Sequence, residues 1–301
     1  MQTVHKTVLL KETIDGLHLN SKEESIVVDG TFGGGGHSVY ILKNFPKTKV
    51  IAIDQDNSAW SKAEAKFKGF EDRITFVNGN FRDIEILVHG LGLDHVDGVV
   101  LDLGLSSDQL ENAGRGFSFM KDEPLYMTMK ENPNEDDVTA KEIVNTWSEE
   151  SLADIIYGYG EEKLARRIAK GIVLAREEKE ISTTFELVEV IRNSIQAKYT
   201  KGKIHFATRT FQALRIAVND ELTSLEKGLE GGFEILKKDK KMSVIAFHSL
   251  EDRIVKNFYK KKKDDGDAIL ITKKPIIAGE EELKKNNRSR SAKLRIIQKI
   301  K

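Results

Sequence analysis

Four short apolar runs, each closed by a polar residue and recurring about one strand-plus-helix apart, constrain this chain more than any other feature. They are Ser25-Ile26-Val27-Val28-Asp29, Val50-Ile51-Ala52-Ile53-Asp54, Ile74-Thr75-Phe76-Val77-Asn78 and Gly98-Val99-Val100-Leu101-Asp102. Rich in β-branched residues, they read as buried strands, and the segments between them have room for helices. Strands alternating with helices imply a parallel sheet with right-handed crossovers, whose ligands bind beyond the carboxyl ends of the strands. Asp29, Asp54 and Asp102 sit at that edge. The expected fold class is α/β, a Rossmann-like sheet.

With 301 residues and 39% hydrophobic content the chain can bury one large core or two modest ones. There is no cysteine, so disulfides and thiolate metal sites are excluded, and the seven histidines lack ligand-like spacing. A metal-independent, cytoplasmic protein is expected: no basic-then-apolar leader opens the sequence, and no run approaches the roughly 20 apolar residues of a membrane span. Net charge is zero, yet residues 237–301 hold 20 Lys or Arg against 9 Asp or Glu, a local +11 over a body of −11. That asymmetry fits a basic face for nucleic acid as well as a solvated Lys-rich surface.

After the first strand comes Asp29-Gly30-Thr31-Phe32-Gly33-Gly34-Gly35-Gly36-His37-Ser38. Glycines here permit a tight turn and close backbone approach to a ligand, and the following helix presents free N–H groups. Asp54 ends the second strand 18 residues after Gly36, where a carboxylate can accept both ribose hydroxyls of an adenosine cofactor. A dinucleotide and S-adenosylmethionine both satisfy loop and acid. The third strand ends in Asn78-Gly79-Asn80-Phe81, with Phe81 as an apolar wall for adenine or an ordinary core aromatic. The fourth ends in Asp102-Leu103-Gly104-Leu105-Ser106-Ser107, facing the position of a transferable methyl group.

Residues Gly30 to Ser38, Asp102 to Gln109, Arg115 to Met120, Tyr159 to Glu162, Ala207 to Arg215, Phe247 to Lys256 and Arg288 to Arg295 resemble the RsmH (MraW) family, motif by motif and in order. The resemblance spans nearly the whole chain. It implies a class I S-adenosylmethionine-dependent methyltransferase that makes N4-methylcytidine in the decoding region of 16S ribosomal RNA, with the small ribosomal subunit as partner. It also implies cofactor contacts at Gly35, Gly36, His37, Asp54, Phe81, Asp102 and Gln109; spacing alone selects neither His37 nor Gln109. The family's middle region resembles an inserted helical domain, giving a methyltransferase domain over 1–110 and 221–301 and a substrate-recognition domain over 111–220. Capping-box patterns at Thr139-Ala140-Lys141-Glu142 and Thr183-Thr184-Phe185-Glu186, and the stripe Leu164, Ile168, Ile172, agree with helices there. The sheet is expected to resume at Ser243–Phe247, then 268–272 and 293–297.

The amine of cytosine is a weak nucleophile, so positioning should supply most of the rate, with an acceptor near its N–H to take the proton. Asp102 and His248, each ending a strand, are the candidates; Asp102 can equally contact the methionine amino group, and His248 can hold the next loop. An unstacked cytosine implies a loop or single strand as target. Arg288, Arg290, Lys293 and Arg295 are candidate phosphate contacts, with Lys260 to Lys263 second, although alternate strand residues face opposite ways. Arg115, Arg209 and Arg215 fit RNA contacts or structural ion pairs. Glu123, Tyr126, Thr128 and Lys130 stand where the family shows Gly, Asp, Arg and Asp, and Phe206 replaces a proline. Two rivals stand beside this reading: a methyltransferase acting on another nucleic acid or on protein, and a non-catalytic RNA-binding ribosome assembly factor. A DNA amine methyltransferase would carry an Asp/Ser-Pro-Pro-Tyr turn where this chain has Asp102-Leu103-Gly104-Leu105.

Overall fold

In a computed structural model that describes residues 7–106, 109–110, 114–131, 137–200 and 204–301, each of the four apolar runs is a strand: β1 (Ser25–Asp29), β2 (Thr48–Asp54), β3 (Ile74–Asn78) and β4 (Val96–Asp102). Between them lie α1 (Leu10–Asp15, before β1), α2 (Gly36–Asn44), α3 (Asn57–Ala63) and α4 (Ile84–His89). The chain then enters a run of helices that includes α5 (Ala140–Thr146), α6 (Glu149–Gly158), α7 (Ala165–Glu178), α8 (Thr184–Ser194) and α9 (Thr208–Asn219). It returns through α10 (Glu221–Glu234), β5 (Leu236–Ala246), α11 (Ser249–Asp264), β6 (Ala268–Leu270), α12 (Glu280–Lys285) and β7 (Lys293–Lys299). Two units result, Met1–Gly104 with Leu222–Lys301, and Leu105–Glu221. The boundary expected at 110/111 therefore falls at 104/105, because Leu105 and Leu110 pack on the helical unit's own core.

The sheet of the first unit runs β3-β2-β1-β4-β5-β7-β6. β1 to β5 are parallel, while β7 is antiparallel to β5 and to β6. The chain travels outward from β1 to β3 and comes back to β4 beside β1, so a crevice opens at the carboxyl ends where the order reverses. Buried side chains cover both faces. Val28, Ile53, Val99, Leu101 and Met242 belong to one cluster with α4, α10 and α11, and Val27, Val50, Ala52 and Val100 to another with α2. α10 comes close to its neighbours through small residues: a Cβ on Gly228 would overlap the Phe81 ring, and one on Gly232 would lie 3.2 Å from the Met242 sulfur.

The second unit has its own core, built on Leu125, Ile143, Leu152, Ile168, Ile172, Leu187 and Leu214 among others. Ile168 and Ile172 are buried as their spacing predicts, whereas Leu164 sits at the N-cap of α7. Thr183 closes a complete capping box with Glu186; at α5 only half forms, Thr139 accepting the Glu142 N–H. No helix among the described residues is long and apolar enough to cross a membrane.

Candidate functional site

The carboxyl ends of β1, β2 and β4 deliver three carboxylates to one edge, and each is held differently. Asp54 is fixed by backbone: Oδ2 accepts the Gly33 N–H at 2.7 Å and Oδ1 the Asp56 N–H at 2.9 Å. Asp29 accepts the Ser38 hydroxyl at 2.6 Å and the Thr31 N–H at 3.4 Å. Burial pushes both up to about 6 against those hydrogen bonds. Asp102 has less support. Its N–H donates to Thr31 Oγ1 at 2.6 Å and its Oδ2 lies 3.8 Å from His37 Nδ1, but its buried Oδ1 has no hydrogen-bond partner. Burial, then the charges of Asp29 and Glu251, hold it well above the usual carboxylate range. An acidic edge with an orphaned carboxylate oxygen suits a ligand carrying positive charge and donors.

The loop from Gly30 to Gly35 links β1 to α2. Gly33 and Gly35 have φ of 50° and 70°, in the left-handed region that favours glycine. At Gly35 a Cβ would also lie 2.8 Å from the Phe67 ring and 3.0 Å from Phe32, and at Gly36 it would overlap the Thr7 side chain. Protein neighbours at both positions, and left-handed backbone at Gly35, favour glycine there. The rings involved form a cluster in which Trp60 stacks on Phe67 at 5.6 Å and on Phe76 at 5.4 Å. Gly35 is also the N-cap of α2 and offers no side-chain cap to its first turn, where the Ser38 N–H donates to Asp29. His37 is buried in that turn.

At the end of β3, Asn80 bridges to β2 by donating to Gln55 Oε1 at 3.2 Å, and Asn78 donates to the Asp54 carbonyl at 3.1 Å. Phe81 follows, half-buried, with its ring against Gly228 of α10. Its Cβ borders Gly30. Gln109 belongs to the second unit, where its Oε1 accepts the Ser106 N–H at 3.0 Å and its own N–H donates to Ser106 Oγ at 3.1 Å. Ser107 and Asp108 of that motif lie outside the described residues.

His248 is the N-cap of α11. Its Nδ1 accepts the Glu251 N–H at 3.4 Å and its Nε2 lies 3.1 Å from Glu251 Oε1, while Glu251 Oε2 accepts the Phe247 N–H at 2.7 Å. Asp102 Oδ1 and His248 Nε2 are both buried without a hydrogen-bond partner.

Several cations predicted to meet RNA are bound within the protein. Lys293 and Arg295 point the same way from β7 and share Asp252, at 3.1 and 2.7 Å. Burial works against the Asp252 charge, but Arg295 and then Lys293 hold it below the usual range. Arg295 is thus a structural ion-pair residue, its side chain only 12% exposed. Arg288 is half-buried and Arg290 exposed; Lys262 lies over the Phe233 ring at 4.7 Å, with Lys260, Lys261 and Lys263 exposed around it. In the second unit Arg215 makes a two-point pair with Glu221 at 2.8 and 2.9 Å, Arg115 donates to the Met129 and Lys130 carbonyls, and Arg209 lies 3.8 Å from Glu162. The departures at 123–130 support their own loop. Glu123 accepts the Gly116 N–H, buried Thr128 accepts the Lys130 N–H, Lys130 pairs with Asp137 at 2.6 Å, and Tyr126 is exposed. Phe206 stacks beside His205, under Arg192. Thr31, Ser38, Glu251 and Asp252 escaped the sequence reading, since hydroxyls and carboxylates at such positions carry no spacing signal.

Comparison with known proteins places these observations in one lineage. The sequence matches the family model described as the MraW methylase family over residues 2–300. It is 47% identical over 316 aligned positions to a ribosomal RNA small subunit methyltransferase H of Clostridium botulinum, covering 100% of both chains. It is also 47% identical over 274 positions to the protein of that name from Persephonella marina, covering 91% of this chain and 92% of the relative. A relative of the same name from Carboxydothermus hydrogenoformans is 47% identical over 316 positions, covering 100% and 99%.

Proposed function

This chain belongs to the MraW methylase family, and we propose that it transfers a methyl group from S-adenosylmethionine to the exocyclic amine of a cytidine in 16S ribosomal RNA, in the decoding region. The observation that carries the cofactor half is the acidic strand edge with Asp102 Oδ1 buried and unpartnered. When bound there, the cofactor supplies an electrophilic methyl group on a positively charged sulfur. Asp54 would hold the ribose hydroxyls, Asp102 and His37 would face the methionine portion, and the N–H groups opening α2 would lie along it; Gly35 and Gly36 shape that turn. Relatives named ribosomal RNA small subunit methyltransferase H support the RNA half.

In the reaction the amine nitrogen bonds to the methyl carbon as the carbon–sulfur bond breaks, the electron pair stays on sulfur, and one amine proton must leave. Asp102 is the group proposed to take it. A buried carboxylate with elevated affinity for protons and an unused lone pair accepts a proton more readily than an exposed one. The His248–Glu251 pair caps the start of α11. The helical unit, Leu105–Glu221, is proposed to recognise the substrate, with Arg290 and the lysines of α11 as phosphate contacts on the sheet unit.

Asp102→Asn keeps the shape and removes the acceptor. Single-turnover methyl transfer to ribosomal RNA should fall by about 10²–10⁴-fold, and its dependence on pH below neutrality should vanish. Equal rates and equal pH profiles for variant and parent would remove Asp102 from proton transfer. Supplying labelled cofactor with ribosomal RNA, transfer RNA, DNA and protein separately tests the acceptor class, and label in ribosomal RNA is expected.

A further inference from the structure

The helical unit distributes its cations unevenly. Lys179, Arg192, Arg209 and Arg215 lie against carboxylates, and Arg176 donates to two backbone carbonyls. Lys163, Arg166, Arg167 and Lys170 do neither: among the described residues, no ion pair or side-chain hydrogen bond engages them. The cause lies in the helix. Ala165, Ile168, Ala169 and Ile172 of α7 are buried, so Arg166, Arg167 and Lys170 must face outward, and all three are exposed.

Beside them the last turn of α6 presents Tyr157, 67% exposed. The connection between the two helices is tight: a Cβ on Gly160 would overlap the carbonyls of Ile156 and Arg209, Glu161 has φ of 50°, and the Leu164 N–H donates to Glu162 Oε1 at 2.8 Å. That turn sets Tyr157 and Asp154 of α6 opposite Lys163, Arg166 and Arg167 across a cleft of about 410 Å³. Three unpaired cations are poor partners for each other and good ones for a polyanion. An exposed aromatic face at their edge suits an unstacked base, and Asp154 is an acceptor for a base amine or a ribose 2′-hydroxyl.

We infer that this cleft is an RNA-contact site of the helical unit, where a single-stranded stretch of the substrate lays its phosphates on Lys163, Arg166 and Arg167 and stacks one base on Tyr157. The inference rests on the ribosomal RNA reading above and adds the surface that grips the RNA. An acidic peptide would use the cations without the ring, so RNA is the occupant that accounts for all of these groups.

The test measures full-length protein binding to small-subunit ribosomal RNA across a salt series, with cofactor affinity measured alongside. The triple variant Lys163→Ala, Arg166→Ala, Arg167→Ala should weaken RNA binding by about tenfold or more at moderate salt and lower the salt slope by about 2, as loss of three single-strand phosphate contacts requires. Tyr157→Ala should weaken binding about fivefold or more without altering the slope. Arg166→Lys with Arg167→Lys should keep the slope, and cofactor affinity should match the parent's throughout. A parent that binds RNA alongside variants of equal affinity and slope would overturn the cleft assignment and leave the methyltransferase reading standing. A parent with no affinity for ribosomal RNA would overturn both.

Discussion

At the strand ends, the decisive balance is between burial and hydrogen bonding at individual carboxyls. Asp29 and Asp54 each gain backbone or hydroxyl donors, yet burial outweighs them and both rise to about 6. The folded protein therefore binds more protons than the unfolded chain between about pH 4 and 6, so stability without cofactor falls as pH rises through that window. A cationic cofactor reverses the preference by favouring the ionised carboxylates. The rise in melting temperature on adding S-adenosylmethionine should be larger at pH 7.5 than at pH 5, as differential scanning fluorimetry would read; an equal or smaller rise at pH 7.5 would contradict this electrostatic account. Gly35→Ala tests the loop independently. Left-handed backbone plus overlap with the Phe67 ring should cost about 1–3 kcal/mol in denaturant unfolding and weaken cofactor binding. Residue identity carried Asp54 and Asp102 because acids closing apolar strands are visible in one dimension. The fixed ring of His248 and the Lys293–Asp252–Arg295 group were not visible, because each depends on which side chains meet after folding.

Among the elements, helix starts differ by one reciprocal hydrogen bond. At α8 the Glu186 carboxylate reaches back to the Thr183 N–H at 3.1 Å and the Ser182 N–H at 2.8 Å, whereas at α5 only the threonine caps. Glu186→Ala should cost about 1 kcal/mol and Glu142→Ala no more than a few tenths, measured by chemical denaturation. Equal costs would deny the second half of the box any weight. The sequence pattern is the same at both sites, so sequence alone predicts two boxes where one forms. Strands were clearest where apolar character fills the element: β1 and β3 begin and end as their runs do. β5 begins seven residues before its expected start, since Lys237, Lys238 and Lys240 extend it beyond the buried stretch with charged residues that no apolar pattern reports. β6 stops at Leu270, two residues short. α10 was hidden for another reason: Gly228, Gly231 and Gly232 argue against a helix by propensity, and close packing on Phe81, Ile84 and Met242 is what favours them there.

For the whole molecule, a net charge of zero conceals a basic C-terminal segment, and much of that charge is already engaged. Lys237 and Lys240 flank Asp97 at 3.0 and 3.5 Å, Lys299 donates to the Phe233 and Glu234 carbonyls, and Lys293 and Arg295 share Asp252. Counting charges along the chain thus overstates the cations available to RNA. Two units with separate cores divide the work proposed here, a sheet edge for cofactor chemistry and a helical unit for substrate. The measurement that tests this account most directly is methyl transfer from labelled S-adenosylmethionine to small ribosomal subunits from cells lacking the activity, followed by digestion of the RNA to nucleosides. The account predicts label in N4-methylcytidine; label in any other nucleoside, or none despite tight cofactor binding, would contradict it.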